Sequence, residues 1–163
     1  MKRIGLLSDT HGFFDEAYTE FLNNVDEIWH AGDIGTVELS NRLEAFKPLR
    51  AVYGNIDSHD IRLRYPEYQR FEIEGLKVWM THIGGYPGRY APGVKPEIFK
   101  QPPGLFISGH SHILKVMPDK RLNLLHINPG AAGNSGLHKV RTVLRFVVDD
   151  GNVKELEIWQ KQR

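Results

Sequence analysis

The chain has 163 residues, of which 40% are hydrophobic and 25% are charged, a composition ordinary for a soluble globular protein. A chain of this length can bury about 70% of its unfolded surface, so we expect residues 1–163 to form one domain. The formal net charge of +1 provides no overall attraction to nucleic acid or to anionic membranes. Because the chain contains no cysteine, disulfides and thiolate metal sites are excluded.

The N-terminal segment begins with basic residues, but its apolar run at residues 4–7 is too short for a signal peptide. No stretch approaches the roughly 18 uninterrupted apolar residues of a membrane span. We therefore expect a cytoplasmic protein that does not bind a membrane.

The first half of the chain alternates short apolar runs with amphipathic segments. Apolar runs predict strands at residues 4–7, 27–30 and 49–53. Apolar residues at helical spacing predict helices at residues 14–24 and 37–46. Strands that alternate with helices are typical of βαβ units, so a largely parallel sheet is expected here.

The second half of the chain favours strands linked by turns. Gly75 separates two predicted strands, 71–74 and 77–80, as in a hairpin. Residues 86–103 are rich in glycine and proline and predict a long loop with one short helix near 96–100, and such loops are usually functional. Two packed sheets with helices outside them are therefore expected. The remaining predicted strands lie near 105–108, 112–117, 123–127, 141–148 and 152–159.

Residues that can bind a metal follow the predicted strands, at the point where each strand ends. In open α/β sheets, ligands bind in the crevice outside these carboxyl ends. Glycines beside most of these residues let the backbone turn sharply and approach a ligand closely. Their imidazole, carboxylate and amide groups suit manganese, iron, nickel, cobalt or zinc. The set comprises Asp9, His11, Asp33, Asn55, His82, His110 and His112.

This set of donors fits a pair of divalent cations. One carboxylate can bridge two cations about 3.5–4 Å apart, while imidazoles and further carboxylates complete each set of ligands. Two such ions lower the pKa of a bridging water and hold phosphate oxygens during in-line displacement. The prediction depends on the ordered set, because Asp-x-His and Gly-Asp are each common in ordinary turns.

The ordered motifs resemble those of the calcineurin-like metallophosphoesterases, and most of all the small bacterial and archaeal phosphodiesterase branch. The resemblance spans about residues 4–135 and implies a four-layer α/β/β/α sandwich, with two packed mixed β-sheets flanked by helices. It rests on Asp9-Thr10-His11, Gly32-Asp33, Gly54-Asn55, His82, Gly109-His110-Ser111-His112 and Asn128-Pro129-Gly130.

The resemblance also implies how the metals are held. One ion would be bound by Asp9, His11, Asp33 and His112. The other would be bound by Asp33, Asn55, His82 and His110, so that Asp33 is the bridge. The implied reaction is hydrolysis of a small phosphodiester by metal-activated hydroxide, with two divalent transition-metal ions, Mn²⁺ before the others. Asp33, Asn55 and His82 are the residues expected to act in catalysis.

Two other functions stay open at this point. One is phosphomonoester hydrolysis, and the other is a non-catalytic protein-interaction subunit on the same fold. The complete set of seven metal-competent residues favours an enzyme over such a subunit. No basic stripe with interleaved aromatic residues is found, so stable nucleic-acid binding is not expected, whereas a homo-oligomer is possible.

The chain departs from the family pattern at Ile56. Many family members carry a histidine after Gly-Asn, where it assists the leaving group, and isoleucine cannot donate a proton. That assistance is therefore missing or supplied from elsewhere, with His59 as one candidate. Thr36 stands where the family has a second acidic residue, and we expect little consequence. Asp57 is expected to add negative charge at the mouth of the site.

Four histidines lie outside the predicted ligand set. His30 and His126 fall among strand residues, so we expect structural roles for them. His59 and His138 fall in predicted loops, and we expect both to be exposed to solvent.

Overall fold

The computed structural model describes residues 1–163, and its first sheet is built around the predicted βαβ strands. β1 (Lys2–Leu7), β2 (Glu27–His30) and β3 (Leu49–Ala51) run parallel to one another. The last two strands of the chain complete this sheet on the other side of β1, where both pairings are antiparallel. These strands are Val140–Asp149 and Asn152–Gln162, β11 and β12 in chain order, and the strand order is β12-β11-β1-β2-β3.

The second sheet contains the predicted hairpin around Gly75. That hairpin joins β4 (Tyr68–Ile73) to β5 (Leu76–Thr81). β5 continues in parallel to β8 (Leu105–Ile107) and β10 (Leu124–Pro129), and β9 (Leu114–Asp119) forms the other, antiparallel edge. The strand order is therefore β4-β5-β8-β10-β9.

Short helices cover the outer face of each sheet. α1 (Val37–Phe46) and α2 (His59–Arg64) contribute apolar side chains to the cluster on the first sheet. α3 (Lys95–Lys100) covers the second sheet, and the strands β6 (Gly85–Tyr86) and β7 (Arg89–Tyr90) precede it. None of these helices is long and apolar enough to cross a membrane.

Alternating side chains explain why two layers of sheet pack together. In β1, Ile4 and Leu6 face the core between the sheets, whereas Leu7 joins the cluster under the outer helices. In β5, Met80 faces the same central core, while Trp79 packs on the α3 side. Successive side chains of a strand point to opposite faces of the sheet. This alternation produces three apolar layers between the four layers of helices and sheets. The predicted α/β/β/α sandwich is confirmed.

One predicted element is wrong. Residues 14–24 were expected to form a helix, but they form a single 3-10 turn, Glu16–Tyr18, followed by further turns. Asp15 caps this turn by accepting a hydrogen bond from the Ala17 amide. Tyr18 and Leu22 are both fully buried, which accounts for the helical spacing of the apolar residues without a helix.

His126 allows a test of how the stability of this fold depends on pH. It lies on β10, is 1% exposed, and has its Nδ1 3.1 Å from the Phe106 carbonyl oxygen. Burial lowers the pKa of His126 to about 4, from the ordinary value of 6.5. The unfolded chain therefore takes up this proton first as the pH falls, so stability present above about pH 6.5 is lost towards pH 4.

We predict that His126→Phe flattens the pH dependence of stability. Between about pH 7.5 and about pH 5, the variant should lose about 2 kcal/mol less free energy of unfolding than the wild type. Urea unfolding at the two pH values measures the difference. His59→Phe, at an exposed position on α2, is the matched control and should follow the wild type. Parallel curves for wild type and His126→Phe would contradict the prediction.

Candidate metal centre

All seven predicted ligands meet at one edge of the molecule, where strands of both sheets end. The first sheet supplies four of them, Asp9 and His11 after β1, Asp33 after β2 and Asn55 after β3. The second sheet supplies the remaining three. They are His82 after β5, and His110 and His112 after β8.

Two carboxylates occupy the centre of this group. Oδ1 of Asp9 lies 3.2 Å from Nε2 of His112 and 3.7 Å from Nε2 of His82. Oδ2 of Asp33 lies 3.2 Å from Nε2 of His82 and 3.5 Å from Nε2 of His11. Asp9 and Asp33 are 0% and 2% exposed, so these charges are withdrawn from solvent.

The donor atoms fall into two clusters. Asp9, His11 and His112 form one, and within each cluster the ligand atoms all lie within 4.8 Å of one another. The other contains Asp33, His82 and His110. Asn55 borders the second cluster, because its Oδ1 lies 3.1 Å from Nδ1 of His110. One oxygen of Asp33 faces an imidazole of each cluster, and so does one oxygen of Asp9, so both carboxylates lie between the two clusters.

Three buried donor atoms in this group lack any hydrogen-bond partner. They are Asp9 Oδ1, His11 Nε2 and His82 Nε2. Buried polar atoms in native proteins are nearly always hydrogen-bonded, so three orphaned atoms facing one another call for a ligand. Nδ1 of His82 lies 2.8 Å from the Ala31 carbonyl and donates to it, which leaves the Nε2 lone pair free for a cation. The residues present therefore fit the metal pair that the sequence implies.

Each carboxylate is anchored through one oxygen and free at the other. Oδ2 of Asp9 accepts hydrogen bonds from the Ser8 hydroxyl at 2.7 Å and from the His110 amide at 3.1 Å. Oδ1 of Asp33 accepts a hydrogen bond from the Ile56 amide at 3.0 Å. The other oxygen of each group points among the imidazoles. This arrangement fixes the carboxylates before any cation arrives.

The backbone at the ligands is held in an uncommon conformation. Five of the seven have positive φ, between 48° and 72°. Residues other than glycine rarely adopt this left-handed region, and each instance costs about 1–3 kcal/mol. Such outliers concentrate at functional sites, where the surrounding structure imposes them. The five are Asp9, His11, Asp33, His110 and His112.

The charges of the cluster stabilise one another. Burial alone would raise the pKa of Asp9, but its interactions with His112 and His82 outweigh burial and lower that pKa. Asp33 behaves in the same way, with His82 as the main opposing influence. Burial would lower the pKa of His82, but Asp33 and Asp9 raise it above its ordinary value. Binding of divalent cations must therefore release any proton held by His82.

Asp57 has a structural role, and the expectation that it makes the mouth of the site acidic is wrong. Its side chain is 4% exposed and accepts hydrogen bonds from the amides of Ile34, Gly35 and Gly54. These amides belong to the loops after β2 and β3. Asp57 therefore ties together the two loops that carry Asp33 and Asn55.

Thr36 has a different local role, because its hydroxyl accepts a hydrogen bond from the Leu39 amide and caps α1.

His138 is also placed differently from the expectation of an exposed loop residue. It is partly buried, with Nδ1 3.2 Å from Nδ1 of His112 and Nε2 2.7 Å from the Gly133 carbonyl oxygen. Sequence reasoning missed this contact because 26 residues separate the two histidines. The one available signal was the small, polar Gly-Asn-Ser-Gly segment before His138, which permits a close approach.

Asn128 holds the loop that carries the last two histidines. Its Nδ2 donates to the Gly109 carbonyl and to the Ser111 hydroxyl, both at 3.0 Å. Its Oδ1 accepts a hydrogen bond from the Gly130 amide, closing the Asn-Pro-Gly turn. His30 meets the expectation of a structural role, since it is fully buried with Nε2 2.9 Å from the Thr10 hydroxyl.

Ile56 lies at the exposed rim of the site, where 46% of it is accessible to solvent. His110 and Asn55 are exposed at the same edge. His59 begins α2 and is exposed, and no hydrogen bond joins it to the cluster. The position after Gly54-Asn55 therefore presents an apolar side chain at the exposed edge of the site.

Comparison with known proteins agrees with this site. The calcineurin-like phosphoesterase superfamily domain matches residues 1–151, which include all seven predicted ligands. A protein of Methanothermobacter thermautotrophicus named "Probable metallophosphoesterase" is 30% identical over 135 residues, covering 78% of this chain and 76% of that protein. Two solved structures share the fold. A novel archaeal phosphodiesterase aligns at a TM-score of 0.74 and 22% identity, over 96% of this chain and 99% of the other.

The second structure is Vps29 of Chaetomium thermophilum, with a TM-score of 0.76 and 14% identity over 100% of this chain and 96% of that one. Identities at this level show a shared fold and nothing more specific. The domain match, by contrast, covers residues 1–151, and the archaeal relative is 30% identical over most of the chain. The chain belongs to the calcineurin-like phosphoesterase family.

Proposed function

We propose that this protein is a phosphodiesterase that works with two divalent transition-metal ions. The observation that carries the proposal is the pair of ligand clusters linked through Asp33, with three buried donor atoms left without partners. Membership of a phosphoesterase family supplies the reaction class. The nitrogen and oxygen donors suit Mn²⁺ first, with Fe, Co, Ni or Zn able to occupy similar sites.

The residues divide between the two ions as follows. Asp9, His11, Asp33 and His112 would hold one ion, and Asp33, Asn55, His82 and His110 would hold the other. When bound, the ions supply Lewis-acid stabilisation of the phosphoryl oxygens and acidify a water molecule.

The chain's own contribution is to orient these ligands. The Ala31 carbonyl selects the His82 tautomer that leaves Nε2 free. The amides of His110 and Ile56 hold the two carboxylates in place. Because the carboxylates and His82 are buried while His110 and Asn55 are exposed, the phosphate would approach from the His110 side.

Diesters are favoured over monoesters by the rim of the site. Ile56 can neither donate a proton to a departing alkoxide nor hydrogen-bond to a phosphoryl oxygen. A leaving group that is already acidic, such as an aryl or cyclic-nucleotide ester, needs less of this assistance.

A non-catalytic protein-interaction subunit is the second candidate function that the sequence leaves open. The state of the ligand set favours the enzyme. An interaction subunit has no need for buried, unpartnered donor atoms or for five ligands in left-handed conformations. Both features carry a cost in stability that metal binding offsets.

We predict that the reconstituted protein binds two Mn²⁺ ions per chain and hydrolyses bis(p-nitrophenyl) phosphate. Asp33→Ala should lower both the metal stoichiometry and kcat/KM, the latter by more than about 100-fold, because it removes a ligand from both ions. Elemental analysis and steady-state kinetics measure the two effects. Asp60→Ala, at an exposed position on α2, is the matched control. Trace metal in the reconstituted wild type would refute the two-metal site.

A second prediction concerns Gly54, which lies directly against Asp33. A Cβ atom at Gly54 would overlap both the carboxylate and the backbone amide of Asp33. Gly54→Ala should therefore displace Asp33 and weaken metal binding. In the wild type, saturating Mn²⁺ should raise the free energy of unfolding, by about 2.7 kcal/mol at a hundredfold excess over Kd.

Thermal unfolding with Mn²⁺ and with chelator measures this gain for each variant. The gain should shrink in Gly54→Ala and persist in Gly93→Ala, because no atom lies within 4 Å of a Cβ built at Gly93. If Gly54→Ala keeps the full gain, the packing of Gly54 does not position Asp33 for the metals.

The third prediction turns on the missing proton donor. Ile56→His should raise kcat/KM most for diesters with basic leaving groups, since general-acid assistance is worth about 10²–10⁴ in rate and matters most there. A series of aryl and alkyl diesters gives the dependence on leaving-group pKa. Ile158→His, which places a histidine at a comparably exposed position on β12, is the control. A gain that does not grow along the series would mean that another residue already supplies the proton.

A further inference from the structure

A cavity of about 300 Å³ opens directly beside the proposed metal ligand His110. His110 and Ser111 form its border towards the metal centre, and the side chains of Tyr86, Ile113 and Lys115 also line it. His126 lines the cavity from the outer face of the second sheet. A phosphate held at the metal centre would therefore have one of its ester groups next to this cavity.

His126 presents an unused hydrogen-bond acceptor here. The side chain is 1% exposed, and its Nδ1 lies 3.1 Å from the Phe106 carbonyl oxygen, so Nδ1 carries the proton and donates it. In the neutral ring the other nitrogen, Nε2, is then a lone-pair acceptor, and it has no hydrogen-bond partner in the protein. Burial lowers the pKa of His126 to about 4, which keeps the ring neutral near pH 7. The structural role expected for His126 thus accounts for only one of its two ring nitrogens.

Tyr86 gives the cavity a flat aromatic surface, and Lys115 places a cation against that surface. Nζ of Lys115 lies 3.7 Å from the centre of the Tyr86 ring. The lysine side chain is flexible, so a flat ligand can displace it from the ring and stack on Tyr86. The ammonium group then remains close enough to meet an electronegative ring atom of that ligand. Ile113 adds an apolar surface at the exposed side.

We propose that this cavity binds the nucleobase of a nucleotide phosphodiester, with stacking on Tyr86 and a base N–H donating to Nε2 of His126. The inference rests on the proposed phosphodiesterase function and narrows its substrate class. A planar heteroaromatic group with both N–H donors and ring acceptors matches the acceptor, the aromatic wall and the cation together. A simple alkyl or aryl ester has no N–H group to donate to Nε2 of His126, so it cannot form this hydrogen bond.

The test compares ligands that share a phosphate and differ in the base. Zn²⁺-loaded protein is titrated by calorimetry with the four common ribonucleoside 5′-monophosphates and with ribose 5-phosphate. At least one nucleotide should bind about 10- to 100-fold more tightly than ribose 5-phosphate, the range that stacking of one base provides. The ¹⁵N signal of His126 Nε2 should shift with that nucleotide and stay unchanged with ribose 5-phosphate.

Variants assign the effect to the two side chains. Tyr86→Ala should remove most of the advantage of the nucleotide, while Tyr68→Ala, an exposed tyrosine on β4, should keep it. His126→Phe keeps the ring but removes the acceptor. It should lower nucleotide affinity about tenfold. His126→Gln, which restores an acceptor, should recover part of the loss. Methylating the N–H donors of the tightest base should weaken binding to the wild type and leave binding to His126→Phe unchanged.

The outcomes separate this inference from the proposed function. If all nucleotides bind no better than ribose 5-phosphate while the Mn²⁺-loaded enzyme hydrolyses bis(p-nitrophenyl) phosphate, the nucleobase cavity is overturned and the phosphodiesterase stands. If nucleotides bind more tightly but His126→Phe behaves as the wild type, the assignment of His126 is overturned. Absence of both diester hydrolysis and phosphate binding would overturn the proposed function, and this inference with it.

Discussion

Two buried carboxylates place negative charge at the junction of the two sheets, and the arrangement of this end of the molecule depends on neutralising it. Asp9 and Asp33 come from the first sheet, whereas three of the imidazoles that face them come from the second. Charge pairing therefore acts between the two layers of the sandwich, in a region where the apolar core between them has ended. Cations bound there would join the layers in the same way, so folding and metal binding would be linked by one set of contacts.

The sequence was sufficient to predict most of the fold and the set of candidate ligands. The strands that precede Asp9, Asp33 and His110 could be located because a short apolar run stops abruptly before polar residues beside glycine. The region after Gly12 could not be predicted correctly. Its apolar residues have helical spacing, but tight turns bury Tyr18 and Leu22 equally well.

The supporting contacts of the site were beyond sequence reasoning for a different reason. Asp57 and His138 act through partners that the fold alone brings near, three backbone amides for one and the ring of His112 for the other. From sequence alone, a carboxylate near a metal motif is expected to add charge to the site, because its hydrogen bonds are not known. The ligands could be predicted because each lies in a short sequence motif. The groups that orient the ligands depend on tertiary distances, which local sequence patterns do not encode.

The left-handed backbone at five of the ligand positions has an evolutionary consequence. At such a position, replacing a ligand with glycine or asparagine relieves conformational strain, so loss of a ligand can increase the stability of the metal-free chain. Selection for the proposed hydrolysis would then keep these residues in place, although substitutions at these positions relieve backbone strain. A lineage that no longer needed the reaction would drift towards a more stable, metal-free scaffold with the same outline, which provides a physical route from enzyme to interaction subunit on this fold.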